Sequence, residues 1–221
     1  MTTAWSSAAS DNTSGPTYVA VRECLRLAWR ETRQHFASFL VVVVAMVLAS
    51  LVFVVLTSLV TTGPLHQLLW ILQFLAPWLV SFALFHIALG VVDGVPGPVR
   101  QAWAPLRCWL AFIIACLILV IPVAIITAAT FGVGLLLGLP MLLFYPFFAV
   151  DRGSRGRSSI RQSWTAGAIH YNDAFRLALC NVGLLLLGVI TIVGWVFTVP
   201  MVVVATAHAY RTATGPPGPW S

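Results

Sequence analysis

Residues 37–61 read ASFLVVVVAMVLASLVFVVLTSLVT, twenty-five positions without a charge. A helix crosses a ~30 Å hydrocarbon core with about 20 residues at 1.5 Å rise, so this run predicts a membrane-spanning helix. The apolar run begins too far along the chain for a cleavable signal, and no cleavage site follows it. It is expected to remain as a span. Gly63-Pro64 marks a turn after it, and a second apolar run occupies 66–92.

Three further apolar runs follow, at 108–130, 131–150 and 174–210. As one helix, the last would be roughly 55 Å long, which predicts a fold-back at Gly188 to Gly194. Thr127, Thr130 and Gly132 predict a similar turn before 131–150. The expected fold class is therefore all-α: a polytopic membrane protein with six transmembrane helices, arranged as three hairpins. The composition agrees. Of 221 residues, 60% are hydrophobic and 8% charged, against about 25% charged in a soluble domain. That excludes a cytosolic enzyme, a disordered regulator and a disulfide-rich secreted scaffold.

The charges fix the orientation. All twelve basic residues are arginine, and with six carboxylates they leave a net charge of +6. The eighteen charges fall within 11–33, 93–107 and 151–176 and at Arg211. None lies in the turns at Gly63-Pro64, Thr130-Phe131-Gly132 or Gly188 to Gly194. Three hairpins put every charge on one face, and the positive-inside rule makes that face cytoplasmic, with both termini inside. The arginines form no basic stripe or aromatic RNA motif, so no nucleic acid is expected. The bilayer, and its anionic headgroups in particular, is the expected partner.

An internal repeat divides the chain. Leu25-Arg26-Leu27-Ala28-Trp29, Val99-Arg100-Gln101-Ala102-Trp103 and Ile160-Arg161-Gln162-Ser163-Trp164 share the pattern aliphatic-Arg-x-small-Trp. Each precedes a hairpin whose return helix holds a proline: Pro77, Pro140 and Pro200. Val133-Gly134 and Val193-Gly194 precede Pro140-Met141 and Pro200-Met201 at one spacing. The units are 17–92, 93–150 and 151–211 of a single membrane domain at 17–211. The polar tails 1–16 and 212–221 flank it, the first expected to be disordered.

The motifs lie on cytoplasmic amphipathic helices. Over 18–36, Tyr18, Val21, Leu25, Ala28, Trp29 and Phe36 recur at helical spacing, with Arg22, Arg26, Arg30 and Arg33 opposite. Over 158–171, Ile160, Trp164 and Tyr171 form the apolar side. Such helices are expected in the headgroup plane, which makes Arg26, Trp29, Arg100, Trp103, Arg161 and Trp164 the candidate lipid contacts. Asp93 and Asp151 end two return helices and are expected to cap the next helix or pair with Arg100 or Arg161. Asn172-Asp173 is read as the cap of the fifth span. His86 is the ionisable group within a span, His208 is expected at the interface, and Ser163 completes the polar candidates. Pro77, Pro122, Pro140, Pro146 and Pro200 predict kinks, foremost Pro77, Pro140 and Pro200.

The four cysteines form no C-x-x-C pair, and no metal, cofactor or catalytic set emerges. The stretch Pro140-Met141-Leu142-Leu143-Phe144-Tyr145-Pro146, then Asp151-x-Gly153, Ser159-Ile160-x-x-Ser163-Trp164 and a Gly-rich hairpin closing on Pro200 and Ala209-Tyr210-Arg211, resembles the YciC-like and related six-helix bacterial inner-membrane families. These include the membrane domain found beside some glycerophosphodiester phosphodiesterases, whose chemistry belongs to a separate soluble domain. The likeness covers residues 135–211 and implies a multi-pass protein of the bacterial inner membrane. The expected role is non-enzymatic, in envelope organisation or as a partner of other membrane proteins or of its own copies. A transporter or permease for a small or lipidic substrate is the alternative, and a lipid-acting enzyme built on Asp93, Asp151 and Ser163 a third.

Overall fold

A computed structural model describes residues 20–60, 62–95, 142–151, 157–191 and 194–215, with isolated positions 125, 128, 129, 138 and 140. All of the regular structure among them is helical: α1 (Val21–Gln34), α2 (Phe36–Leu59), α3 (Pro64–Val92), α4 (Tyr145–Asp151), α5 (Arg157–Ile169), α6 (Tyr171–Thr191) and α7 (Trp195–Thr214). The expected turn at Thr130-Phe131-Gly132 and the motif residues Arg100 and Trp103 lie outside the described residues.

Valine-rich α2 is helical over 24 residues although β-branched side chains disfavour helix in water. Where no water competes, the backbone must satisfy itself, and a helix does so locally. Near its end, the Thr57 and Ser58 hydroxyls donate back to the carbonyls of Phe53, Val54 and Val55. Gly63 then turns the chain at φ +94°, a left-handed conformation that favours glycine, and Pro64 opens α3. Among the described residues α2, α3 and α6 are long and apolar enough to cross a membrane. α7 is not among them; it carries Pro200, His208, Tyr210 and Arg211. Only 11% of the most apolar stretch of α2 is buried, against 53% of that of α3. α3 therefore belongs to the core and α2 presents its valines and leucines outward.

The core is built where α3, α4 and α7 meet. Ile87, Ala88, Phe147, Val204, Ala207 and Tyr210 are fully enclosed, and Phe147 stands edge-on to Phe85 and stacked on Tyr210. The prolines divide by position. Pro140 and Pro200 are buried, the latter within α7. α3 runs unbroken across Pro77, whose side chain lies outside the described residues, as does Pro122. Pro146 is the second residue of α4, where its missing N–H leaves no helical bond unmade, so it starts a helix instead of kinking one.

The long run at 174–210 breaks as expected, with α6 ending at Thr191 and α7 beginning at Trp195. Asn181 Nδ2 donates to Thr206 Oγ1 at 3.0 Å, and Gly188 lies against Thr198 and Trp195. These pairs make α6 and α7 antiparallel neighbours. The expected cap Asn172-Asp173 is displaced: α6 already starts at Tyr171 and takes Asp173 into its first turn. There the carboxylate faces the positive end of the helix dipole.

The inward face of the amphipathic helices overlaps the predicted apolar face but is rotated away from its tryptophans: Ala28 is buried and Val21 and Leu25 pack partly on the core. α1 buries Cys24, Ala28 and Thr32. In α5 the buried positions are Ser159, Ser163 and Gly167. Aligned on the Arg-x-small-Trp motif, the two sets coincide, while Trp29 and Trp164 are 52% and 51% exposed. Small side chains win the inward face because they let helices approach closely, leaving arginine and tryptophan outside. α1 packs on α7 and α5 on α4, so each motif helix lies against the return helix of another unit. Phe197, at the start of α7, is 4.9 Å from Trp29 and 5.9 Å from Phe36 between ring centroids. Three simple hairpins place Phe197 at the opposite end from this junction. Instead α1 crosses α7 between Phe197 and His208.

Burial pushes the Cys24 thiol up to about 11. The stability gained by burying the neutral thiol is present below its ordinary value of 9.0 and is lost as pH rises through about 11. Iodoacetamide at pH 8 is expected to spare Cys24 in the folded protein and modify it after denaturation in dodecyl sulfate, a difference read by peptide mass mapping.

Candidate functional site: a buried charge cluster

Two carboxylates sit where a helix dipole disfavours them. Asp93 is the C-cap of α3 and Asp151 the last residue of α4, both at negative helix ends. Arg211, in the last turn of α7, neutralises them. Its Nε and one terminal nitrogen donate to the two oxygens of Asp93 at 2.8 and 2.6 Å. Both terminal nitrogens also donate to Asp151, each at 2.8 Å. The Tyr210 hydroxyl adds a 2.8 Å bond to Asp151 Oδ2.

The cluster is largely dry: the side chains of Arg211, Asp93 and Asp151 are 9%, 16% and 6% exposed. Burial opposes the charge on Arg211, but the hydrogen bonds it donates to Asp151 and then Asp93 outweigh this and hold the guanidinium above its ordinary value. Tyr210 supports the arrangement, with Phe148 edge-on at 4.9 Å and the Arg211 guanidinium 5.4 Å from its ring centre. Three return-helix ends from three sequence units are thereby tied together. Both carboxylates are occupied by strong donors, an arrangement suited to fastening helices.

A second buried pair fastens α1. His208, expected at the interface, is enclosed instead, and its Nε2 lies 2.7 Å from Glu31 Oε2. Glu31→Ala is expected to cost about 1–2 kcal/mol, because it removes one buried hydrogen bond. Thermal unfolding in detergent measures this, and α1 is expected to loosen first, seen as faster amide exchange over Val21–Gln34.

Of the residues singled out by sequence, the fold brings Asp93 and Asp151 together on Arg211, a partner not anticipated; of the two expected ones, Arg161 lines a cavity elsewhere and Arg100 lies outside the described residues. Ser163 is fully buried. His86 is half-buried in α3, its ring edge-on to Phe82. No group of three or more metal-ligating side chains occurs among the described residues. Arg26 is exposed and 3.7 Å from Glu23. Arg161 lines an open cavity of about 480 Å³ between α4, α5 and the end of α7, with Gln162, Thr165, His170, Phe148 and Ile169 in its wall.

Sequence reasoning missed Arg211, Tyr210, Glu31 and His208 as network members. One signal was present: Asp151 and Arg211 each follow the proline of a Pro-Met pair by eleven residues, so one register position carries opposite charges in two units. A second was His35 and His170, each nine residues beyond the motif arginine and each the single residue between two helices. Comparison of the chain with protein-family models, curated proteins and solved structures finds no match.

Proposed function

We propose that the chain is a non-enzymatic integral protein of the bacterial cytoplasmic membrane, serving envelope organisation or acting as a partner of other membrane proteins. The observation that carries this reading is α2, an uncharged 24-residue helix whose apolar side chains face outward along most of its length. Val41, Leu48, Leu51 and Leu59 are more than half exposed. Such a surface is costly in water at roughly 25 cal/mol per Å² and suited to lipid. The six spans and three hairpins remain part of the proposal, with the charged segments and both termini on the cytoplasmic side and α1 inclined across α7 so that Phe36 reaches Phe197. The likeness to the YciC-like families belongs to the same reading.

Half-exposed Trp29 and Trp164 beside Arg26 and Arg161 support an Arg/Trp collar that meets anionic headgroups. The mutual saturation of Asp93, Asp151 and Arg211 favours a structural over a catalytic role for the cytoplasmic end. Extraction of membranes at alkaline pH with carbonate tests the reading. The protein is expected to stay in the pellet; release into the supernatant would contradict it.

A further inference from the structure

We propose that the cavity between α4, α5 and the end of α7 binds a phosphate-bearing anion, with Arg161 and His170 as its cationic and hydrogen-bonding contacts. The proposal rests on the membrane reading above and assigns a ligand to one part of the collar. Arg161 and His170 line the same cavity of about 480 Å³, and neither side chain has an ion pair or hydrogen bond among the described residues. The contrast within the repeat is informative. Arg26, at the equivalent position, already has Glu23 beside it, whereas Ser158 stands where that glutamate would fall. The third unit thus keeps the motif guanidinium without the carboxylate three residues before it.

Phe148 and Ile169 add apolar lining to the same cavity, and Ile169 is 64% exposed. A guanidinium and an imidazole beside apolar lining fit a phosphodiester with an acyl chain attached. A guanidinium recognises phosphate through paired N–H donors, and an imidazole supplies another. The shared chemistry is a phosphate oxyanion, whether on a lipid or free.

The test uses the full-length protein in mild detergent, with native mass spectrometry counting bound phosphatidylglycerol against phosphatidylcholine. Phosphatidylglycerol is expected to be retained preferentially. Arg161→Gln is expected to reduce that retention roughly fivefold, the weight of one interfacial basic residue. His170→Gln should weaken it less, and Arg161→Lys should restore part of the loss. Glycerol 3-phosphate added in competition separates the sources: displacement of the lipid assigns the site to the phosphate itself, and no displacement to the lipid as a whole. Equal retention of both lipids by the wild type, or unchanged retention by Arg161→Gln, would overturn the proposal. Because Arg161 is exposed, its variants should melt as the wild type does. A protein that stays in the carbonate pellet but shows no Arg161-dependent binding would sink this site and leave the membrane reading standing.

Discussion

Replacing Arg211 by methionine is expected to destabilise the protein by about 3–5 kcal/mol, because it strands two carboxylates in a dry site. With Arg211 present, two carboxylates face one guanidinium, a formal charge of −1. Without it the charge is −2, spread over two helix ends whose own dipoles repel it. Thermal unfolding in detergent, followed by loss of the monodisperse chromatographic peak, measures the effect. Arg211→Lys should recover little, since a point ammonium cannot supply the four donor contacts that the guanidinium makes to both aspartates. The triple variant Arg211→Met with Asp93→Asn and Asp151→Asn should be more stable than Arg211→Met alone. If it were not, repulsion between stranded carboxylates would not be the cause.

Gly188→Val should have the next largest effect, at about 1–3 kcal/mol from overpacking. A Cβ at Gly188 would collide with the Thr198 hydroxyl and lie 3.2 Å from Trp195 Cα. The hydroxyl can rotate away, but the Trp195 backbone cannot without opening the α6–α7 turn. Gly183 is the control on the same helix. Nothing lies within 4 Å of its Cβ position, so Gly183→Ala should be neutral or stabilising by about 0.5–1 kcal/mol through helix propensity alone. Parallel melting curves of the two variants check both expectations.

The contrast between these two sites shows what a linear sequence conveys. The limits of α2 and α3 were legible because an uninterrupted apolar run and a Gly-Pro turn act locally. The break between α6 and α7 was legible from length, since no bilayer accommodates a 55 Å span. The inward face of α1 and α5 was legible only in part, through Ala28 and the half-buried Val21 and Leu25. Apolar periodicity centred the face on Leu25 and Trp29, or Ile160 and Trp164, while close helix approach centred it on Cys24-Ala28-Thr32 and Ser159-Ser163-Gly167. When the surroundings are apolar, size decides the inward face as much as hydropathy does.

The charge cluster was half legible. Asp93 and Asp151 drew attention as carboxylates closing apolar helices, but Arg211 read as an isolated charge beyond the last span. Its role depends on three helix ends meeting, which only the tertiary fold supplies. Glu31 and His208 are 177 positions apart and carried no local sign of being paired.

Side-specific labelling tests the central claim most directly. Cys24 is buried and therefore unsuitable, so a chain with its four cysteines replaced by alanine would carry Arg26→Cys or Thr62→Cys. These positions lie before α2 and in the α2–α3 turn, and an impermeant maleimide is applied to intact spheroplasts and to lysed ones. Thr62→Cys should react in intact spheroplasts and Arg26→Cys only after lysis. Reaction of both from the same side would contradict a membrane-spanning α2 with its charges in the cytoplasm.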